Sequence, residues 1–200
     1  VPASHHPSST IATLTGFAAL LSLLSLLAPA GAAATVLVEV PVDDMAYVAD
    51  AIVIGRVSHV GTRLELSGPE PMPFTVSTLT IERWVLGSGA SDEVAIEEVG
   101  GHWQGLEVRV AGTPTYRAGE RVLVFLRKDD QGRYRTYGMA QGKFTLQAAV
   151  DGPTIAHRDL GEVSFARWAN GQMEVDHGDV SAMPFYELIG RIEQVLQVRP

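Results

Sequence analysis

Residues 1–38 contain no Lys, Arg, Asp or Glu, and the first charge in the chain is Glu39. All 15 basic and 23 acidic side chains, a net charge of -8, therefore belong to the remainder. Within the uncharged stretch, the apolar residues 11–27 are followed by Pro29, which breaks a helix, and then by Ala30-Gly31-Ala32-Ala33-Ala34. Small residues then occupy the -3 and -1 positions of a signal-peptidase site. The pattern predicts a signal peptide over residues 1–34, cleaved after Ala34 or, second, after Ala32. The competing reading is an uncleaved anchor over residues 11–34, since about 20 apolar residues span a bilayer. Thr13, Thr15, Gly16, Ser22, Ser25, Pro29 and Gly31 interrupt that span, and no basic residue flanks it, which favours the signal peptide. A leader ordinarily opens with Met and a basic residue. Here the sequence opens Val1-Pro2-Ala3-Ser4, so Val1 is either an alternative start or the mark of an upstream truncation. The expected compartment is secreted or periplasmic.

The chain has no cysteine, so it has no disulfide framework, thiolate metal site or Cys nucleophile. Its acidic excess disfavours nucleic acid and anionic membrane surfaces as partners. Residues 35–200 are enough for one core that buries about 70% of the unfolded chain's surface.

Along this part, Asp43 and Asp44 precede Met45, Val48, Ala49 and Ile52, which predicts a short N-terminal helix ending near Ala51. Residues 52–66 are β-branched and apolar, 67–73 hold three prolines and read as a loop, and 75–86 alternate as a long half-buried strand. Residues 93–99 form a third strand, and Leu106, Val108 and Val110 set a fourth. Residues 121–127 (RVLVFLR) are the most apolar strand and the expected centre. After an Asp129–Gly132 turn, strands are expected over 133–139, 142–150 and 154–158. Phe185, Leu188, Ile189, Ile192, Val195 and Leu196 then follow helical spacing with Pro184 at the first helical position, and the helix should cover the open end or one side of a barrel.

Three stretches carry a family resemblance: Ala49-Asp50-Ala51-Ile52-Val53-Ile54-Gly55-Arg56-Val57, Gly119-Glu120-Arg121-Val122-Leu123-Val124-Phe125-Leu126 and Gly138-Met139-Ala140-Gln141-Gly142-Lys143-Phe144. In this order they resemble a family of uncharacterised, signal-bearing bacterial domains common in high-GC genomes, over roughly residues 42–198. The resemblance implies a mainly β fold, a small Greek-key barrel of the OB or netrin-like type with a short N-terminal helix and a C-terminal amphipathic helix. The netrin-like barrel is also that of tissue inhibitors of metalloproteases, which chelate zinc through an N-terminal Cys. This chain lacks that residue, so that route of inhibition is not implied, and the family brings no catalytic residues.

No motif calls for a cofactor, a metal or a catalytic group. Gly138 to Phe144 fails as a phosphate loop on spacing, with Phe144 where a hydroxyl belongs, and reads as a strand with a bulge at Gly142. Neither G-x-S-x-G nor H-E-x-x-H occurs. His59, His102, His157 and His177 are scattered. Glu174, Asp176 and Asp179 around His177 lack the spacing of a calcium loop and read as a solvated acidic loop. Glu97 and Glu98 are adjacent on a strand, face opposite sides and cannot work as a pair. Trp84 and Trp168 lie in patterned segments where core packing accounts for them.

Trp103 sits in a glycine-flanked loop, residues 100–105, where a wet indole is costly, so it either plugs the local core or meets a partner. Trp103, Tyr116 and Arg117, with His102 at the rim, are the candidate binding surface. The alternative is that Trp103 folds inward and Tyr116 packs under its own turn. The functional expectation is an exported, non-catalytic binding or envelope-associated module whose partner is a protein or envelope component. Second comes an inhibitor or accessory domain of a secreted peptidase, and third a hydrolase with a spatial His and carboxylate site.

Overall fold

Two strands lack the alternation of an ordinary half-exposed strand because both of their faces are covered. In the computed structural model, which describes residues 35–199 except 67, 69 and 90, these are β2 (Ala51–Glu65) over its first half and β7 (Arg121–Lys128). The expected leader, residues 1–34, lies outside the described residues. The other strands are β1 (Thr35–Val38), β3 (Met72–Leu86), β4 (Glu93–Val99), β5 (Gly101–Trp103), β6 (Leu106–Val108), β8 (Tyr134–Thr136), β9 (Lys143–Gln147), β10 (Ile155–Asp159), β11 (Val163–Ala169), β12 (Gln172–His177) and β13 (Val180–Pro184). Two α-helices, α1 (Val42–Val48) and α2 (Phe185–Val198), complete the described residues, which are mainly β. Neither is long and apolar enough to cross a membrane.

The large sheet has the order β13-β10-β9-β7-β2-β3-β4-β8, and β8 also pairs antiparallel with β7. A single parallel bridge, Ile96 to Tyr134, joins β4 to β8, so β2, β3, β4, β8 and β7 close into a ring from which β9, β10 and β13 extend. Inside the ring lie Ala51, Val53, Leu79, Val94, Ile96, Val122, Val124 and Leu126. The intervening residues Ile52, Ile54, Leu123 and Phe125 face outward, where Met45 and Ala46 of α1 and Leu188 and Ile192 of α2 cover them. A strand buried on both faces selects apolar residues at every position, which is why β7 reads as an unbroken run. The C-terminal helix thus covers one side of the sheet, with Pro184 as its N-cap residue.

Several local expectations need correction. The first helix ends at Val48, because Asp50 N–H bonds Leu126 O at 2.9 Å and Ala51 already pairs with β7. Pro73 lies within β3 rather than in the loop; near the strand's start it needs no N–H, and its carbonyl accepts from Gly100 N–H at 2.9 Å. The stretch 100–105 is a hairpin, not a loop: β5 pairs with β6, and Gln104 (φ 46°) and Gly105 (φ 87°) make the two-residue turn, a left-handed pair suited to strand twist. The fourth strand accordingly ends at Val108. No bulge occurs at Gly142; residues Met139–Gly142 form a 3-10 turn entered through left-handed Gly138. Glu174 and Asp176 belong to β12 rather than a loop, and both pair with Arg167 of β11, at 3.3 and 3.0 Å.

Trp168 is also not in the core. It is 73% exposed on the second sheet, β1-β11-β12, beside Met173 and on the same face as Val38, Ala166 and Val175. Alternation segregates these residues correctly from Arg167, Glu174 and Asp176, but the apolar side is the one left open among the described residues.

Candidate functional site

Gly55-Arg56-Val57, Gly119-Glu120-Arg121 and Gln141-Gly142-Lys143 meet in space. Arg56 Nη1 donates to Gly119 O at 2.8 Å, Gly119 N–H to Val57 O at 2.8 Å, and Val57 N–H to Glu120 O at 2.8 Å. The Glu120 carboxylate accepts from Lys143 Nζ at 2.9 Å, Thr145 Oγ1 at 2.6 Å and Arg117 N–H at 3.1 Å. Burial pushes that carboxyl up, but the hydrogen bonds and charge of Lys143, with those of Thr145 and Arg117, outweigh it and hold it below the usual glutamate range. Burial draws the Lys143 ammonium down against the pull of Glu120. Lys143 also donates to Thr115 O at 2.5 Å and stands 4.9 Å from the Tyr116 ring centre. Gln141, 2% exposed, ties down the segment before α1, accepting from Val40 N–H at 2.8 Å and donating to Val38 O at 3.1 Å.

Glu120, Lys143 and Thr145 floor a cleft of about 580 Å³. One wall is the β5–β6 hairpin with the segment 109–117; the other is β10, through His157 and Asp159. The volume lies in the range of small-ligand and peptide sites. At one end Glu98 is 8% exposed, and its Oε1 accepts from Thr136 N–H at 2.8 Å. Thr136 Oγ1 in turn lies 2.6 Å from Tyr116 OH. Burial raises the Glu98 carboxyl to about 7, against the lowering effect of the Thr136 bonds and Arg135; burial likewise lifts the Tyr116 hydroxyl well above its usual value.

Glu98 therefore makes stability depend on pH. A carboxyl raised in the fold favours the native state most at pH below its unfolded value near 4.5, and loses that advantage as pH climbs to about 7. Unfolding free energy of the wild type is expected to fall across this window by on the order of 2–3 kcal/mol, and that of Glu98→Gln to stay nearly level there. Urea titrations at pH 4.5, 6 and 8 check this; parallel pH profiles for the two proteins would assign the dependence to another group.

Of the residues singled out from sequence, His102, Tyr116 and Arg117 all line the cleft, and Trp103 does not. His102 and Arg117 are exposed. Tyr116 is 4% exposed and belongs to the ring interior, so it is a floor residue and not a surface anchor. Trp103 is half-buried at the end of β5, opposite Leu106 across the hairpin turn. Glu98, Glu120, Lys143, Thr145, His157 and Asp159 also line the cleft but were not singled out as binding residues from the sequence. A charge embedded in an apolar strand stretch was the available signal for Glu120 and Lys143.

No protein-family model, curated protein or solved structure matches the chain.

Glu120 is engaged by Lys143, and Glu162 pairs with Arg109. Elsewhere Ser164 Oγ lies 3.0 Å from His177 Nδ1, a serine–imidazole contact, but Ser164 is 2% exposed between two strands, where no substrate carbonyl reaches it. Among the described residues no group of three or more His, Asp or Glu is placed to hold a metal ion.

Proposed function

We propose that the chain is an exported, non-catalytic binding module that takes an extended segment of a partner protein into the 580 Å³ cleft. The observation that carries this reading is the cleft wall: β6 belongs to a two-stranded sheet, so its outer edge has no strand neighbour among the described residues. A free edge beside a cleft is the geometry of strand addition, in which main-chain hydrogen bonds supply affinity and flanking side chains supply choice. His102 and Arg117 are among the exposed side chains that line the cleft. The ring order β2-β3-β4-β8-β7 with its parallel β4–β8 contact supports a Greek-key barrel of the OB or netrin-like type, a fold that binds through loops and one sheet face. Export rests on the uncharged apolar pattern of residues 1–34.

The second reading, an inhibitor or accessory domain of a secreted peptidase, is favoured by the hairpin tip, where Trp103 and a 43% exposed Leu106 flank a tight turn. One experiment separates the two. A photo-cross-linking side chain placed at His102, at Arg117, at Leu106 or, as a control, at Asn170 is expressed in the native host, and envelope and culture-supernatant fractions are irradiated. Discrete adducts from positions 102 and 117, with a captured chain starting at Thr35, are expected. Adducts from position 106 alone, to a peptidase, would replace the cleft reading with the hairpin one; equal labelling at position 170 would remove both.

A further inference from the structure

The sheet β1-β11-β12 has one face turned to the rest of the chain and one face open. Strand alternation puts Leu37, Val163 and Phe165 on the inner face, where Leu37 and Val163 lie against Gly112. The outer face carries Val36 and Val38 of β1, Ala166 and Trp168 of β11, and Met173 and Val175 of β12. The register sets Val38, Ala166 and Val175 side by side in one row and Trp168 beside Met173 in the next. Val38, Trp168 and Met173 are 74, 73 and 65% exposed, and Val36 and Val175 about half so. Together they present roughly 600 Å² of contiguous apolar surface, the upper end of what the largest patch on a typical monomer reaches, and patches of that size mark interaction sites.

This face is free of formal charge. Arg167, Glu174 and Asp176 alternate to the opposite side and pair there, and the next outward row, Ser164 and His177, is joined by a 3.0 Å hydrogen bond. A charged partner therefore finds no counter-charge to meet. An anionic membrane surface is opposed by Glu39, which follows β1, and by Asp179, which follows β12, in a chain of net charge -8. A second copy of the chain brings the same uncharged patch. A two-fold axis then sets apolar residues on apolar residues, while Glu174 and Asp176 stay in water on the far sides of the two sheets. Two patches of roughly 600 Å² bury about 1,200 Å² in total, which reaches the lower limit of stable protein interfaces.

We propose that the open face of β1-β11-β12 is a homodimer interface, in which two copies pack these sheets face to face about a two-fold axis with Trp168 at its core. Facing sheets pack about 10 Å apart, a gap that interdigitating Trp, Met and Val side chains fill, and Trp is the residue most enriched among interface hot spots. None of the six residues lines the large cleft, so the dimer contact and the uptake of a strand at β6 use different surfaces.

Sedimentation velocity on the purified full chain is expected to show a monomer–dimer equilibrium with a midpoint at micromolar to tens of micromolar concentration. Trp168→Lys removes the indole and sets two like charges near one another across the axis, so it should weaken the dimer at least about thirtyfold. The melting midpoint of the dilute protein should hardly move, because the side chain is already exposed. Val38→Lys, on a different strand, should act in the same direction. The chain has no cysteine, so a single thiol can be placed at will. Val175→Cys should be joined into a dimer by a short bismaleimide, and Asp176→Cys, one residue on and facing the other way, should not. A chain still monomeric at about 300 μM would overturn the proposal. So would a dimer that both lysine variants leave intact, or equal cross-linking from positions 175 and 176, either of which places the contact elsewhere. Phosphatidylcholine vesicles that capture the wild type but not Trp168→Lys, with no dimer in solution, would give the face to a lipid surface instead.

Discussion

Gly142→Ala is expected to abolish stable folding. Across the 3-10 turn the backbone doubles back so closely that a Cβ at position 142 would collide with the Tyr137 carbonyl oxygen and crowd Thr136 Cγ2. A backbone carbonyl cannot step aside as a side chain can. The turn is also held on three sides: Tyr137 N–H bonds Phe125 O at 2.8 Å, Ala140 N–H bonds Gly112 O at 2.8 Å, and Lys143 continues into β9. Relief would have to detach β9 from β7 or β8 from the ring, so the loss should exceed about 4 kcal/mol, a large part of the 5–15 kcal/mol typical of a domain. Gly105→Ala provides the contrast. Its Cβ would meet nothing within 4 Å, and only the left-handed backbone, at φ 87°, opposes it, at roughly 1–2 kcal/mol. Soluble yield and urea midpoints of the two variants test this; a Gly142→Ala midpoint as high as that of Gly105→Ala would mean that the turn can relax locally.

Ile192→Ala should be the most damaging single change in α2. Ile192 and Leu188 are fully buried between α1 and the outward faces of β2, β7 and β10. A truncation of this kind costs about 2–5 kcal/mol, and a chain of this size loses about 2–4 °C of melting midpoint per kcal/mol, so a drop of about 4–20 °C is expected. Ending the chain after Pro184 uncovers Ile52, Ile54, Leu123 and Phe125 together and should leave no cooperative transition. The ion pairs at the helix surface matter little by comparison. Arg83 to Glu193 and Arg191 to Asp43, each at 2.5 Å, are about half exposed, and solvent screening limits such pairs to about 1 kcal/mol or less. Calorimetric midpoints for Ile192→Ala and Glu193→Gln decide the ranking; equal values would make the helix a peripheral tail.

Both effects trace to packing that a linear sequence expresses unevenly. In α2, residues 188, 192 and 196 repeat at helical spacing, and the stripe announces the buried face wherever the partner lies. At Gly142 nothing local distinguishes a glycine that must be small from one that is merely convenient, because the colliding atom belongs to a carbonyl positioned by the ring.

The pattern within the chain determined what each segment could become. Alternation over 75–86 and 93–99, the unbroken apolar run of β7, the turn residues Asp129 to Gly132 and the 188–192–196 stripe depend only on near neighbours, and period 2 or 3.6 is visible in them directly. The tertiary structure decided which faces found cover and which distant residues became partners. β8 has three residues, too few to show any period, yet its two pairings close the ring. Trp168 alternates as a core residue should but lies on a sheet face that nothing described covers. Glu98 and Glu97 were correctly assigned to opposite sides. Only the fold buries Glu98 beside Thr136 and turns Glu97 to Arg63, at 2.6 Å. Glu120 meets Lys143, and Arg158 comes to lie over Phe144, through strand pairings set by register across the whole sheet. Secondary structure follows from local geometry, whereas a site needs side chains from separate strands at hydrogen-bond distance, and the closing of the sheet alone sets that distance.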